Sequence, residues 1–407
     1  MAPLRVGILG LGGFARTHFG ALWQMEDRGE VKVESVFARS YHEERYAETR
    51  PKIEERGMRV YTTFEEFMAG ERNRLDIVSI ATSIDSHEPF TLAALEAGCD
   101  VFCEKPVAAT VDEVYRMIDA KNRTGKIVAI GYQHIFSDAI QKLKELIVAG
   151  RLGKVKRTMT HVLWPRNWSY YDKSSWKGRL KSGGEWVMDS PVQNATAHYL
   201  MNMLYLCGAT HQDSAMPESI RCEAYHAYPI DSFDTANVLV TTDSGATVRH
   251  IASHASPERG NPTSYIECEN GIARYEAPSG KTEITYNDGT VETFDNHEKK
   301  VHYQAFELAI PAIRERREPI CTLENSLPQV LVVNGIHEAL HPIPSIGEEH
   351  ITRTELEDND HALGINDLDR YIEHCFNEDV FFQRAGAPWA IEPVVFDLKG
   401  YRHFTGH

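Results

Sequence analysis

Long apolar runs are missing from this sequence of 407 residues. No stretch reaches the roughly 18 consecutive apolar residues that a membrane-spanning helix requires, so we expect no membrane partner. The apolar stretch near the start is interrupted by glycine at residue 10. Because it lacks the layout of a signal peptide, it predicts a buried strand instead.

Cysteine is sparse and unpatterned. The seven cysteines are an odd number, lie scattered along the chain and include no C-x-x-C pair. This pattern argues against a disulfide framework and a zinc ribbon. We therefore expect reduced, mostly buried thiols and a cytoplasmic protein.

Basic residues are in deficit. Lysine and arginine number 43 against 59 acidic residues, and the net charge is −16. So acidic a protein is not expected to bind nucleic acid or an anionic membrane surface. His250 and His254 fall on one face of a predicted strand, but no carboxylate motif accompanies them, and we predict no metal site.

A glycine-rich loop follows the first predicted strand and precedes a helical stretch. Its pattern is G-x-G-x-x-A, starting at Gly10. In this context the glycines allow a tight turn and close approach of a pyrophosphate, which would lie at the helix N-terminus. The candidate cofactor-binding residues of the loop are Gly10, Gly12, Gly13, Phe14 and Ala15.

The second predicted strand ends in Arg39 and Ser40. Sites that prefer NAD usually place an acid there, to bind the ribose 2′-hydroxyl. Because this chain has an arginine and a serine instead, a 2′-phosphate would suit it better. The sequence favours NADP as cofactor and leaves NAD open.

A short apolar strand, 101–103, runs directly into Glu104-Lys105-Pro106. Proline ends the strand and stiffens the turn. Lys105 is thereby presented at the carboxyl end of a strand, where ligands bind in open parallel sheets. The alternative is a surface turn with a solvated ion pair.

Strand and helix patterns alternate six times in the first 130 residues, which predicts an α/β Rossmann domain with a doubly wound parallel sheet. Residues 131–342 predict an α+β domain with a large open antiparallel sheet. Residues 343–407 form an extension expected to pack on that domain or on a neighbouring subunit. The length agrees with two or three domains.

An aromatic and basic loop spans residues 164–179. Flat rings combined with hydrogen-bond donors have the composition of a sugar-binding platform, with Trp164, Arg166 and Trp176 as candidate substrate-binding residues. A dimer contact or plain core packing would explain the same composition equally well.

These motifs together resemble the glucose–fructose oxidoreductase, inositol dehydrogenase and rhizopine catabolism (Gfo/Idh/MocA) family over about residues 4–340. The resemblance implies a first domain that binds NAD or NADP. It also implies that the second domain, residues 131–342, binds substrate and mediates oligomerisation, since in the family its sheet face covers the nicotinamide and often forms homodimers or homotetramers. By the same resemblance, the residues lining the cofactor are Thr82, Ser83, His87, Glu104, Lys105 and Gln133.

The family also follows a Gly-Gly pair with an aspartate and, four residues later, a proton-carrying histidine. Asp189 matches the aspartate, but Gln193 replaces the histidine. Glutamine cannot carry a proton at neutral pH, so Lys105 or His198 would have to do so, or the chemistry is altered. The catalytic candidates are Lys105, Asp189, Gln193 and His198; Asp189 and Asn194 are further substrate-binding candidates.

The resemblance implies an NAD(P)-dependent oxidoreductase that acts on a secondary hydroxyl or ketone of a small sugar, polyol or glycoside. Two alternatives stay open. One is a redox-neutral glycoside hydrolase that retains NAD, as in some relatives. The other is a non-catalytic regulator that binds the dinucleotide.

Overall fold

The computed structural model describes residues 2–277, 280–296 and 301–406. The chain divides into two compact units, each of which is built from three separate segments of the sequence. The first unit contains Met1–Ala108, Glu113–Phe136 and Lys300–Glu324, and the second contains Ala109–Asp112, Ser137–Lys299 and Asn325–His407.

The helices begin and end as follows. They are α1 (Ala15–Asp27), α2 (Arg50–Glu55), α3 (Phe64–Gly70), α4 (His87–Glu96), α5 (Val111–Thr124), α6 (Asp138–Val148), α7 (Trp168–Asp172), α8 (Ala197–Leu206), α9 (Val301–Arg314), α10 (Leu323–Ala339) and α11 (Leu368–Glu378). Within the described residues, no helix combines the length and apolarity needed to cross a bilayer.

The first unit is built on a six-stranded parallel sheet. Its strands are β1 (Leu4–Leu9), β2 (Val31–Phe37), β3 (Arg59–Tyr61), β4 (Ile77–Ile80), β5 (Asp100–Cys103) and β6 (Val128–Ile130). Their spatial order is 3-2-1-4-5-6, the doubly wound order in which the progression of the strands reverses between β1 and β4. The predicted Rossmann sheet is confirmed. Buried Val6, Ile8 and Leu9 explain why β1 reads as an apolar run.

The second unit is built on a nine-stranded sheet. Its strands are β7 (Val155–Leu163), β10 (Pro217–Tyr225), β11 (Thr235–Thr242), β12 (Thr247–Ser253), β13 (Gly260–Cys268), β14 (Gly271–Glu276), β15 (Lys281–Tyr286), β16 (Val291–Asp295) and β19 (Val394–Asp397). The order is 16-15-14-13-7-12-11-10-19. Neighbours are antiparallel except for β7 and β12, which run parallel, so the predicted open antiparallel sheet is confirmed with one parallel pair inside it.

The C-terminal extension packs against the second unit of its own chain. Its last strand, β19, pairs with β10 at the sheet edge. Helix α11 contributes Tyr371, Ile372 and Cys375 to a buried cluster that also holds Tyr225 and Ile251 of the sheet. A hairpin of β17 (Ile351–Glu355) and β18 (His361–Ile365) precedes α11.

Helix α9 belongs to the first unit, where its Glu307 accepts a 2.9 Å hydrogen bond from Arg28, just after α1. The chain therefore returns to the Rossmann sheet after completing most of the large sheet. The domain boundaries at residues 130 and 342 stay predictions about how the domains follow one another along the sequence. Each of these boundaries falls inside one of the compact units.

After Gly183-Gly184, the sequence pattern predicts one long helix from about Trp186 to Cys207, and this prediction is wrong in its first half. Strands β8 (Lys181–Ser182) and β9 (Glu185–Trp186) form a small hairpin around a glycine turn. A single wide turn, Pro191–Ala195, follows, in which the Thr196 N–H donates to the Pro191 carbonyl at 2.8 Å. The glycines and Pro191 delay the regular helix until Ala197.

Candidate functional site

The glycine-rich loop lies at the carboxyl end of β1 in the first unit. Gly10 has φ +109°, and a Cβ there would stand 2.3 Å from the Ala81 carbonyl oxygen after β4. A Cβ on Gly12 would stand 2.6 Å from the Tyr46 hydroxyl. Helix α1 begins at the buried Ala15. The strand, glycine turn and helix therefore have the arrangement that admits a dinucleotide pyrophosphate.

A cavity of about 200 Å³ opens beside this loop. It brings together predicted cofactor residues from three separate segments of the first unit: Gly10, Arg39, Ser40, Thr82 and Ser83. The sequence reasoning missed Arg45, whose Nη2 donates to the Ser40 hydroxyl at 3.3 Å. Asp85 also lines the cavity, so both signs of charge are present along its wall.

The buried carboxylate of Glu104 accepts three hydrogen bonds. Its Oε1 accepts from His18 Nε2 at 2.9 Å and from Gln133 Nε2 at 3.1 Å, while Oε2 accepts from the Lys105 backbone N–H at 3.2 Å. With Nε2 of His18 donating, its Nδ1 accepts from the Ser79 hydroxyl at 2.8 Å. Sequence reasoning missed His18, although a histidine three residues after Ala15 on the inward face of α1 was a usable signal.

Lys105 is half-buried at the end of β5. Burial, reinforced by repulsion from the neighbouring His302 and Lys105, lowers the pKa of His134 to about 3. Burial likewise lowers the pKa of His302, with Glu104 opposing and Lys105 reinforcing that shift. Lys105 therefore stands among neutral histidines and one carboxylate.

His87 holds the turn that carries the lysine. Its Nδ1 lies 2.8 Å from the Pro106 carbonyl oxygen and its Nε2 lies 3.3 Å from the Thr82 carbonyl oxygen. Burial lowers the pKa of His87, so the neutral ring donates one hydrogen bond, for which the contact to Pro106 is the shorter. This predicted cofactor residue thus connects the loop after β4 to the turn after β5.

In the second unit, Asp189 and its neighbours form a closed polar cluster. The Asp189 carboxylate accepts from the Gly178 N–H at 2.7 Å and from Asn194 Nδ2 at 2.9 Å. Gln193 is fully buried, and its Oε1 accepts from Gln329 Nε2 at 3.1 Å. Wide helical turns of this kind recur at functional sites.

His198, the alternative proton carrier, lies in the first turn of α8 and is mostly buried. Nearby in the fold, His250 Nε2 lies 3.0 Å from the Thr196 hydroxyl, and burial lowers the pKa of His250 to about 3. His250 is therefore a neutral histidine bonded within the second unit.

The aromatic and basic loop follows β7. The Trp164 ring meets Tyr199 edge-on at 5.8 Å. The Arg166 guanidinium lies 4.9 Å from the centre of the Tyr170 ring, and Trp176, like Arg166, is half-buried. Tyr170 was not singled out from the sequence, since one more aromatic in such a loop carries no separate signal.

Comparison with known proteins gives two family models. The model of the Gfo/Idh/MocA oxidoreductase family, NAD-binding Rossmann fold, matches residues 4–132. The model of the Gfo/Idh/MocA C-terminal domain matches residues 140–274. Together they cover well over half of the chain.

Curated relatives match over shorter stretches. D-glucoside 3-dehydrogenase of Escherichia coli is 39% identical over 88 residues, which are 22% of this chain and 25% of that protein. Inositol 2-dehydrogenase 2 of Saccharopolyspora erythraea is 29% identical over 153 residues, 36% of this chain and 44% of the relative. The chain thus spans less than half the length of these two relatives.

Solved structures match over most of the chain. The aldose-aldose oxidoreductase from Caulobacter crescentus, complexed with glycerol, superposes with a TM-score of 0.67 at 22% identity. The superposition covers 83% of this chain and 97% of that one. The two proteins share their fold.

Proposed function

Because the chain belongs to the Gfo/Idh/MocA family of oxidoreductases, we propose that it is an NAD(P)-dependent dehydrogenase or reductase. Its substrate would be a secondary hydroxyl or ketone of a sugar, polyol or glycoside. The observation that carries this is Lys105 at the end of β5, on a turn anchored by the buried Glu104. The glycine-rich loop follows β1 and therefore lies at the same edge of the sheet as Lys105.

The first unit fits a dinucleotide, since Gly10 has no room for a side chain and the adjacent cavity is lined by polar groups. The loop from Gly10 to Ala15 would hold the pyrophosphate, and Thr82, Ser83, Glu104 and Gln133 would line the rest. When bound, the nicotinamide supplies the acceptor or donor of the hydride. Arg39, Ser40 and Arg45 would bind the 2′-phosphate of NADP.

Lys105 would move the proton. In oxidation its neutral amine accepts the hydroxyl proton, and in reduction its ammonium returns a proton to the ketone. Glu104 stabilises the positive charge that appears on the amine, while His18 and Gln133 hold that carboxylate in place. His198 stays the alternative proton carrier.

In the second unit, Asp189 and Asn194 would orient ring hydroxyls together with Trp164, Arg166 and Trp176. The amide of Gln193 can only donate or accept hydrogen bonds, so its proposed role is positional, through its bond to Gln329. Assembly as a homodimer or homotetramer is part of the proposal.

Absorbance near 340 nm tests this function. The full-length protein is mixed with NAD⁺ or NADP⁺ and a panel of sugars, polyols and glycosides. We expect reduced cofactor to accumulate with at least one of them. Release of an aglycone without net reduced cofactor would instead support the redox-neutral hydrolase. Cofactor binding without turnover of any member would support the regulator.

The cofactor preference is tested by Arg39→Ala. Losing one charge-assisted contact to the 2′-phosphate costs about 1.5–3 kcal/mol, which is on the order of ten- to a hundred-fold in affinity. We expect the KM for NADP to rise by that factor and the KM for NAD to change little. Arg72→Ala, an exposed arginine of the same unit, is the control. Equal effects on both cofactors would contradict the NADP assignment.

A further inference from the structure

Two cations of the second unit lie against one tyrosine ring. The Arg166 guanidinium is 4.9 Å and the Lys177 ammonium 3.9 Å from the centre of Tyr170. Both basic side chains are half-buried. Placing two like charges beside one ring costs free energy through their mutual repulsion, which opposes the two cation–π contacts of about 0.5–1 kcal/mol each.

Neither cation forms an ion pair with a carboxylate of the described residues. This is unusual in a protein with 59 acidic residues, in which arginines such as Arg59 and Arg157 each bind a glutamate directly. The Nε atom of Arg166 is also buried without a hydrogen-bond acceptor. Groups of this kind are stabilised when a ligand supplies the missing acceptor.

Among the residues that the structure describes, the groups around the pair do not supply that acceptor. Asp189 is the acid that acts most strongly on Lys177, but its two oxygens already accept from the Gly178 N–H and from Asn194. His254 is kept neutral because burial, reinforced by Arg166 and Lys177, lowers its pKa far below the usual value. Its Nδ1 faces the Tyr171 hydroxyl at 3.3 Å.

Burial also lowers the pKa of Lys177, with Asp189 opposing and Arg166 reinforcing the shift. A ligand anion beside this amine would reverse the effect and favour the charged form. The lysine is therefore a group whose charge a ligand can stabilise.

We infer that Arg166 and Lys177 form an anion-binding subsite, so that the substrate is a sugar or polyol that carries a carboxylate or a phosphate. This rests on the proposed function, because it takes the loop at 164–179 to bind the substrate. Arginine would engage two oxygens of the anion at once, and lysine would act as a point charge.

Calorimetric binding to the full-length protein saturated with NADP⁺ or NAD⁺ tests the inference without requiring turnover. The probes are matched sets that differ at one carbon: glucose, glucuronate and glucose 6-phosphate, and the corresponding galactose set. We expect one anionic member to bind at least about ten-fold more tightly than its neutral counterpart. The preferred member separates a carboxylate from a phosphate.

Lys177→Met should reduce that advantage to within about three-fold while leaving the affinity for the neutral sugar unchanged, and Lys177→Arg should restore it. The matched control is Lys181→Met, which removes another lysine lying over an aromatic ring, 4.0 Å from the centre of Trp186. An anion preference sensitive to Lys177 in a protein without turnover would support the subsite and contradict the proposed oxidoreductase function.

Two results would overturn the inference. The first is that no anionic probe binds more tightly than its neutral counterpart. The second is that Lys177→Met weakens neutral and anionic probes equally, which would assign the lysine to structure or to proton transfer. Thermal unfolding of the methionine and arginine variants distinguishes these two roles.

Discussion

At the scale of single residues, the proposed chemistry of the first unit depends on the carboxylate of Glu104, which is shielded from solvent. Glu104 is 4% exposed, and an unpaired buried carboxylate would be strongly destabilising. His18 and Gln133 supply the two side-chain donors that make its burial tolerable. We therefore assign His18 a positioning role, acting on Lys105 through Glu104.

Replacing His18 by asparagine and by glutamine separates its two hydrogen bonds. Asparagine has the reach of Nδ1 and keeps the contact to Ser79, whereas glutamine has the reach of Nε2 and keeps the contact to Glu104. We expect His18→Asn to lower the free energy of unfolding by about 1–3 kcal/mol more than His18→Gln. The asparagine variant should also have the lower kcat at unchanged KM for the cofactor. Equal kcat values would contradict the positioning role.

The places of the loop glycines, Glu104 and Lys105 after strands of the sheet could be predicted from sequence because each has a local signature: a turn, a strand end and a proline. His18 had a weaker signal: its place on α1 marks an inward-facing histidine, but its partner Glu104 lies 86 residues away. The contact of Arg45 with Ser40 depends on how the chain turns between them. Gln193 is an intermediate case. Its substitution for a histidine was readable, but its bond to Gln329 required the folded second unit.

At the scale of elements, the C-terminal hairpin holds the candidate substrate loop. Asp360, just before β18, accepts from the Ser169 backbone N–H at 2.9 Å and from the Asn167 side chain. Asn167 also forms an isolated bridge to Ala362 of β18. The Leu363 N–H donates to the Tyr228 hydroxyl at 2.8 Å, and that hydroxyl donates to the Arg166 carbonyl. The extension therefore fixes the backbone just before α7 and in its first turn.

Asp360→Ala should raise the KM for the sugar by about ten- to a hundred-fold, because the loop that presents Arg166 and Tyr170 loses its anchor. The KM for the cofactor should stay unchanged, since the first unit is untouched. Glu357→Ala removes an exposed carboxylate of the same turn and serves as the control. Steady-state kinetics with both variants provide the measurement, and an unaltered sugar KM in Asp360→Ala would refute the anchoring role.

The least accurate of the predicted elements is the helix that ends in α8, because its predicted start lies too early in the sequence. Periodicity continues through it, because the wide turn at Pro191–Ala195 buries the same kinds of residues that a helix would. Ser190 caps that turn by accepting the Gln193 N–H at 3.0 Å. A Ser-Pro pair before an apolar run was the available signal for a late helix start.

At the scale of the whole molecule, two kinds of buried titratable group change the stability of the fold in opposite directions as the pH falls. Burial lowers the pKa values of His134 and His250 to about 3, so the stability they contribute is present above their unfolded pKa and is lost on acidification. Burial raises the pKa of Glu223 to about 7. The stability that Glu223 contributes is therefore full below its unfolded pKa, near 4.5, and is lost as the pH rises through 7.

Glu223→Gln isolates this balance. Glu223 lies in β10 and accepts the backbone N–H groups of Phe382 and Gln383, at 2.7 and 3.0 Å. On acidification from pH 8 to 5.5 the wild-type protein gains stability from this carboxyl, and the variant does not. We therefore expect the free energy of unfolding of the variant, relative to that of the wild type, to fall by about 2 kcal/mol between pH 8 and pH 5.5.

Denaturant unfolding at the two pH values measures this difference. Glu283→Gln, which changes an exposed glutamate on β15, should behave like the wild type. Parallel pH dependence in the wild type and Glu223→Gln would show that the carboxyl titrates normally in the folded protein.

The order of the parallel sheet could be predicted because strand and helix alternate with short connections, which leaves few topologies. The return of α9 to the first unit could not, since it depends on contacts between residues nearly 300 positions apart, such as Arg28 and Glu307. The place of the extension was likewise open until β19 was seen to pair with β10.

The most direct test of the account is the rate of hydride transfer in Lys105→Met, followed at 340 nm with the best substrate of the panel. We predict a loss of about 10²- to 10⁴-fold in kcat, the usual contribution of a positioned proton carrier, with the cofactor affinity measured by fluorescence titration unchanged. A Lys105→Met protein that turns over at the wild-type rate would contradict it.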